Sequence, residues 1–369
     1  MSDDKISLDR LLSLIDVMDM LNPEEKRDLR KNCEYAIQQF GDNWIENEDS
    51  RKHPLWGFFG ISTGISELGE LGLALKCLQL KENFSELLDR LRSSDKFNGA
   101  HSEITIGYWL LKSGIPFEFL KPKKKDKSPD IKIRSSERDL ILEITAKDYP
   151  EDYLKTFQNN RKILVLLHFN SSGLSAHLKN HRPLLSSYTT DEIIHTCEDL
   201  IEKAKISGFE ELHIPKVIDL YIFSQENRER VPKKDRVFIF TLPKFDEYAR
   251  IRGTIQQKVK QLNHDMPGVL LIFDRFFWPS RKIGHFTSKL RHELEEKIYE
   301  NPNLSALVII MQFADISEDY RNIVRENQSS ISMKTYDPKT GISKYKVVVF
   351  NKYARFPLSD EEKGILKKM

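Results

Sequence analysis

Two acids thirteen residues apart have the types and spacing to do chemistry together: Asp130 in Ser128-Pro129-Asp130 and Glu143 in Leu142-Glu143-Ile144-Thr145-Ala146-Lys147. The runs 130–134 and 139–147 read as strands joined by the hairpin-sized turn Ser135-Ser136-Glu137-Arg138. Antiparallel pairing across that turn sets Asp130 near Glu143. Because side chains alternate along a strand, Ile141, Glu143, Thr145 and Lys147 share one face, while Leu140, Leu142, Ile144 and Ala146 line the other, expected to be the core. An acid and a lysine in an otherwise apolar strand need partners. Two converging carboxylates repel each other and attract a divalent cation, and oxygen ligands alone suit Mg²⁺ or Mn²⁺ rather than zinc.

A third acid lies upstream. Glu103 sits in an expected helix over 99–112, and Glu103, Gly107, Leu110 and Leu111 share the face that should pack on the sheet. Three acids and a lysine are what metal-assisted phosphodiester cleavage requires. The metal polarises the phosphate and acidifies a water that the lysine orients.

The order of helix with Glu103, hairpin with Pro129-Asp130, strand with Glu143, then helix and strand resembles the PD-(D/E)XK nuclease superfamily of restriction endonucleases. The motif's usual lysine position is Thr145 here; Lys147, two residues on, keeps the same strand face, and Lys132 is the other candidate. The segment 248–262 supports the likeness. Ile251, Ile255, Val259 and Leu262 form an apolar side, Lys258 and Gln261 lie i, i+3 on another, and Val269–Phe273 follows as a buried strand. The resemblance covers about 97–147 and 248–275, with roughly a hundred residues between them. It implies an α/β, restriction-endonuclease-like core: a central mixed sheet flanked by helices. It implies Asp130, Glu143 and Glu103 as metal ligands, Lys147 as the water-positioning base, and Lys258 and Gln261 against the scissile phosphate. The activity it implies is Mg²⁺- or Mn²⁺-dependent cleavage of DNA, less readily RNA, in restriction, phage defence or repair. The alternative is a catalytically inactive module of the same fold that binds nucleic acid or a protein partner.

The rest of the 369-residue chain must position these groups. Residues 1–95 read as a helical region, and 96–369 as the nuclease-like domain with an insertion at about 150–247. The glycines of Ser66-Glu67-Leu68-Gly69-Glu70-Leu71-Gly72 lower helix propensity and permit close packing. With 58 Lys plus Arg against 56 Asp plus Glu, the net charge of +2 excludes a uniformly basic nucleic-acid binder. Any such site is a local patch, and Lys121, Lys123, Lys124, Lys125 and Lys127 supply one beside the acids. From 121 to 147 there are nine basic and five acidic residues, an excess of four.

Cys33, Cys77 and Cys197 suit neither a disulfide framework nor a zinc site. The longest apolar runs, such as 306–311, are far short of the ~20 residues of a membrane span. No signal-peptide core opens the sequence, so a cytoplasmic protein with no membrane partner is expected. A second copy of the chain or another protein remains open as partner. His177 and His181, i, i+4 without an intervening catalytic glutamate, read as surface residues. No phosphate-binding loop or nucleophile elbow occurs, against an autonomous ATPase or a serine hydrolase.

Overall fold

The computed structural model describes residues 8–41, 44–47, 50, 53–59, 62–121, 128–147, 151–170, 173–233, 238–239, 247–262, 265–274, 294–314, 323–326, 330–337 and 342–369. The chain forms two compact units, one of Met1–Lys147 with Glu247–Met369 and one of Asp148–Asp246. The helical segment 1–95 belongs to the same unit as the principal sheet, and the second unit occupies nearly the span read as an insertion.

In chain order, the first unit begins with α1 (Leu8–Leu12), α2 (Pro23–Gln38), α3 (Ser62–Leu78), α4 (Phe84–Arg92) and α5 (Phe97–Lys112). Strands β1 (Phe117–Phe119), β2 (Ile131–Arg134) and β3 (Asp139–Ala146) follow. The second unit contains α6 (Glu151–Asn170), β4 (Ser175–Asn180), α7 (Ser187–Ser207), β5 (Phe209–Ile214), β6 (Ile218–Phe223) and β7 (Phe238–Ile239). The first unit resumes with α8 (Glu247–Lys258), β8 (Gly268–Asp274), α9 (294–299), β9 (Ala306–Ala314), β10 (Ile323–Glu326), β11 (Ser330–Asp337), β12 (Ile342–Phe350) and α10 (Asp360–Lys368).

The architecture is α/β around a mixed eight-stranded sheet ordered β1-β2-β3-β8-β9-β12-β11-β10. Strands β3, β8 and β9 run parallel and the other pairs antiparallel. The parallel centre is covered on both faces, which is why β8 is buried at all seven positions and reads as a continuous apolar run. One face receives α8, whose Ile251, Ile255 and Val259 pack with Ile141, Leu270 and Ile272. Phe273 alternates with Ile272 and meets Trp109 of α5 on the opposite face, ring centroids 5.9 Å apart. Both faces of β3 are therefore core. Ile141 is as buried as Leu140 and Leu142, where the alternation alone assigns the core to one face.

Close approach sets the helical layer. A Cβ at Gly107 would lie 2.5 Å from the ring tip of Phe119, so the missing side chain lets α5 lie against the first hairpin. The same holds where α2 crosses α3, because a Cβ at Gly72 would fall on the Asn32 carbonyl oxygen. At the hairpin tip, Arg138 makes a two-pronged pair with the buried Glu362 of α10, Nε–Oε1 2.9 Å and Nη2–Oε2 3.0 Å, fixing the turn that holds β2 and β3 in register.

The second unit has a four-stranded sheet ordered β5-β6-β4-β7. Ile163 and Leu167 of α6 and Ile193, Cys197 and Ile201 of α7 pack with Leu178, Leu220 and Ile222 of its strands. The run 163–169, equally readable as strand or helix, is helix within α6. No helix among the described residues is long and apolar enough to cross a membrane. Burial pushes the Cys33 and Cys197 thiols up to about 12, which leaves them inert packing residues.

Replacing Gly72 with Ala tests the helical layer. Helix propensity alone favours the change by about 1 kcal/mol. The clash with the Asn32 carbonyl should instead make Gly72→Ala destabilising by roughly 1–3 kcal/mol, read by denaturant unfolding.

Candidate active site

The hairpin register places Ile131 opposite Leu142, and the chain continues so that Asp130 N–H donates to the Leu142 carbonyl at 3.0 Å. Asp130 thus stands one step beyond Ile131, across from Glu143. Its Oδ2 accepts from Ile144 N–H at 2.7 Å, which aims the carboxylate at the middle of β3. Asp130 keeps partial exposure, whereas Glu143 is 1% exposed in a strand flanked by β2 and β8. That position removes the bland explanation for an acid in an apolar strand, a charged guard on a sheet edge.

Each acid meets chemistry from a helix. Lys258, the last residue of α8, puts Nζ 2.8 Å from Glu143 Oε1. The helix then tightens into a 3₁₀ turn over Val259–Gln261. The Gln261 amide lies in the same cluster, its nitrogen 2.9 Å from Glu143 Oε1 and its oxygen 3.3 Å from Lys258 Nζ. From α5, the buried Glu103 takes both arms of Arg90, at 2.7 and 2.5 Å. Arg90 is the contributor that the sequence reading missed. Its signal was indirect: an acid on the apolar face of a helix must find a cation, and Arg90 lies on the preceding helix of the bundle.

The electrostatics are unbalanced. Among the described residues, three carboxylates, Glu103, Asp130 and Glu143, stand near two cations, Arg90 and Lys258, and Asp130 is the one that makes no ion pair with either. Burial, then repulsion from Glu103 and Glu143, pushes its carboxyl well above the ordinary range despite the Ile144 N–H and Lys258. Burial also raises Glu103, against the pull of Arg90.

The other expected site residues lie as follows. Lys147 follows β3 on the Glu143 face, but its Nζ is 2.7 Å from Asp274 Oδ2, and the two side chains are 4% and 3% exposed. Burial and the nearby Arg250 lower the Lys147 pKa, with Asp274 opposing them. Lys132 pairs with Glu118, and its Nζ is 3.6 Å from Asp139 Oδ2. Lys121 pairs with Glu86 at 3.0 Å, while Lys123, Lys124, Lys125 and Lys127 lie outside the described residues. His177 and His181 do not act as a pair. The His177 ring lies against Phe223, and His181 Nε2 is 2.6 Å from Asp219 Oδ2, whose other oxygen meets His213.

Among the described residues, no group of three or more His, Cys, Asp or Glu side chains stands arranged to hold a metal ion. Glu103 is bonded by both arms of Arg90, whereas Asp130 and Glu143 face each other across the hairpin. The surplus charge on that pair, and its hard-oxygen chemistry, fit Mg²⁺ or Mn²⁺. No protein-family model matches the chain, and no curated protein matches it.

The surplus has a measurable consequence. Asp130 has a folded-state pKa above its unfolded value, so between the two values the folded chain holds a proton that the unfolded chain has lost. Stability therefore falls as pH rises through that window. Asp130→Asn should raise the melting temperature at neutral pH in EDTA. The gain should fade below about pH 4, where the carboxyl is protonated in both states. An equal gain at pH 3 and pH 7 would show that Asp130 carries no such charge strain.

Proposed function

We propose that this chain is a metal-dependent nuclease of the PD-(D/E)XK type, with a restriction-endonuclease-like core built from α5, β1–β3, α8, β8 and β9. The observation that carries the reading is a carboxylate at the head of a hairpin, opposite a second acid in a central strand, with a lysine and a glutamine arriving from the next core helix. Bound at Asp130 and Glu143, Mg²⁺ or Mn²⁺ would polarise a phosphate and lower the pKa of a water. Glu143 is locked by Lys258 and Gln261, so the metal-facing carboxylate is pre-oriented. Arg90 neutralises Glu103 and leaves it an orienting group rather than a third ligand.

Lys258 fills the role that Thr145 leaves vacant. Its side chain is 29% exposed, against 4% for Lys147, so it can meet an incoming phosphate while touching Glu143. Substrate is DNA or RNA, with Lys121 and the neighbouring lysines as backbone contacts. A second reading, a module of this fold that binds without cutting, is favoured by Thr145 and by the commitment of Glu103 to Arg90.

Incubation with supercoiled, linear and single-stranded DNA and with RNA should give cleavage in Mg²⁺ or Mn²⁺ that EDTA stops. Asp130→Asn and Glu143→Gln should each reduce it by at least about a hundredfold while sparing binding. Binding without cleavage of any of these substrates in either metal would select the second reading.

The lysines separate by kinetics. Lys258→Met should lower kcat by about a hundredfold or more, with KM little changed, the signature of an interaction made in the transition state. Lys147→Met should act mainly on stability, because it removes one member of a buried ion pair. The reverse pattern would move the role to Lys147.

A further inference from the structure

The large sheet carries a second concavity that shares no residue with the carboxylate cluster. Its volume is about 470 Å³, within the roughly 300–1,000 Å³ range of small-molecule sites. Five lysines line it: Lys112 at the end of α5, Lys344 and Lys346 of β12, and Lys367 and Lys368 at the end of α10, with Trp109 among them. The remaining wall includes Ile310 and Met333, so an apolar surface lies among cationic groups.

The charges do not cancel. Lys344 Nζ is 3.5 Å from Glu70 and lies over the Trp109 ring, 4.6 Å from its centroid. Lys367 pairs with Glu326 at 2.5 Å. Among the described residues no carboxylate pairs with Lys112, Lys346 or Lys368. Lys346 is 8% exposed and spends its donors on the terminal carbonyls of α10, Leu366 at 3.0 Å and Lys367 at 2.7 Å. Burial depresses its pKa to about 8. An ammonium group held in the wall by carbonyls alone gains from an anion set beside it.

The chemistry of the lining defines the ligand. A purely apolar molecule would leave Lys112, Lys346 and Lys368 with only the terminal carboxylate of Met369 in the same lining. Inorganic phosphate would leave Met333 and the half-buried Trp109 uncovered on the side away from Lys344. A phosphate carrying a flat apolar body satisfies both. We propose that this concavity binds a nucleoside phosphate, either free or at the end of a nucleic-acid strand. The phosphate lies among Lys112, Lys346 and Lys368, and the nucleoside lies against Met333 and the accessible part of Trp109. This inference stands apart from the nuclease reading, and binding is measured without reference to cleavage.

The test is calorimetric titration of the full chain, in EDTA, with adenosine and guanosine monophosphates, the corresponding nucleosides and inorganic phosphate. Short oligonucleotides with and without a 5′-phosphate complete the set. The mononucleotides, or the phosphorylated oligonucleotide, should bind once per chain, and about tenfold or more tighter than nucleoside, bare phosphate or the unphosphorylated strand. Mononucleotides binding best identifies a free ligand; the phosphorylated oligonucleotide binding best identifies a strand end. Exposed Lys112 and Lys368, changed together to Ala, should weaken binding by about tenfold or more and leave the ligand-free melting temperature unchanged. Lys346→Met should weaken binding too, but it also uncaps α10, so the double variant decides. No heat and no thermal shift at millimolar nucleotide and oligonucleotide would overturn the proposal. So would inorganic phosphate binding as tightly as the nucleotides, or undiminished binding by the double variant.

Discussion

A carboxylate in the centre of a sheet is the constraint around which this molecule is arranged. Glu143 occupies a strand buried on both faces, where an unpaired charge would cost several kcal/mol. Lys258 and Gln261 answer that cost from the end of α8, which is also the helix whose apolar side covers Ile141, Leu270 and Ile272. Burying the core and holding the acid are thus one act of packing. The same helix cannot shift to improve one without disturbing the other.

On the opposite face α5 plays the corresponding part. Gly107 allows it to lie close to the first hairpin, and Glu103 is carried with it, already matched by Arg90. Helices α8 and α4 bring one cation each, Lys258 and Arg90, while the hairpin brings two acids and α5 a third, so acids outnumber cations in the cluster among the described residues. A fold that only needed stability would gain by replacing Asp130 with an uncharged residue, and it is this excess that the proposed metal ion would offset.

The sequence made the acids legible because each breaks a local rule: Asp130 opens a strand after proline, and Glu143 interrupts a run of Leu and Ile. Lys258 and Gln261 were legible as a polar pair beside an apolar helical stripe. Lys147 has a partner that the sequence does not announce. Strand alternation assigns its face correctly, but Asp274, at the end of β8 and 127 residues away, takes up its ammonium group, and no local pattern announces that pairing. Arg90 was hidden because an amphipathic helix gives no sign of which of its charges turns inward. The α/β class with its mixed central sheet came with the resemblance, and β8 was legible as the apolar run Val269–Phe273. Strands β4 and β5, Ser-Ala-His-Leu-Lys-Asn and Phe-Glu-Glu-Leu-His-Ile, are too polar to stand out. Helix α10, nine residues long and starting shortly after Pro357, was missed although Ser359 and Glu362 form a capping box at its start.

The position of the second unit within the chain bears on how the molecule comes together. It lies between β3 and β8, which are adjacent and parallel, so Glu143 and Lys258 meet only across 115 residues of intervening sequence. Parallel pairings of this separation must overcome the entropy of closing a long loop before any contact rewards it, and they form late in folding. During synthesis the hairpin with both acids emerges long before its lysine exists. The charged cluster is completed only once the central strands have zipped together.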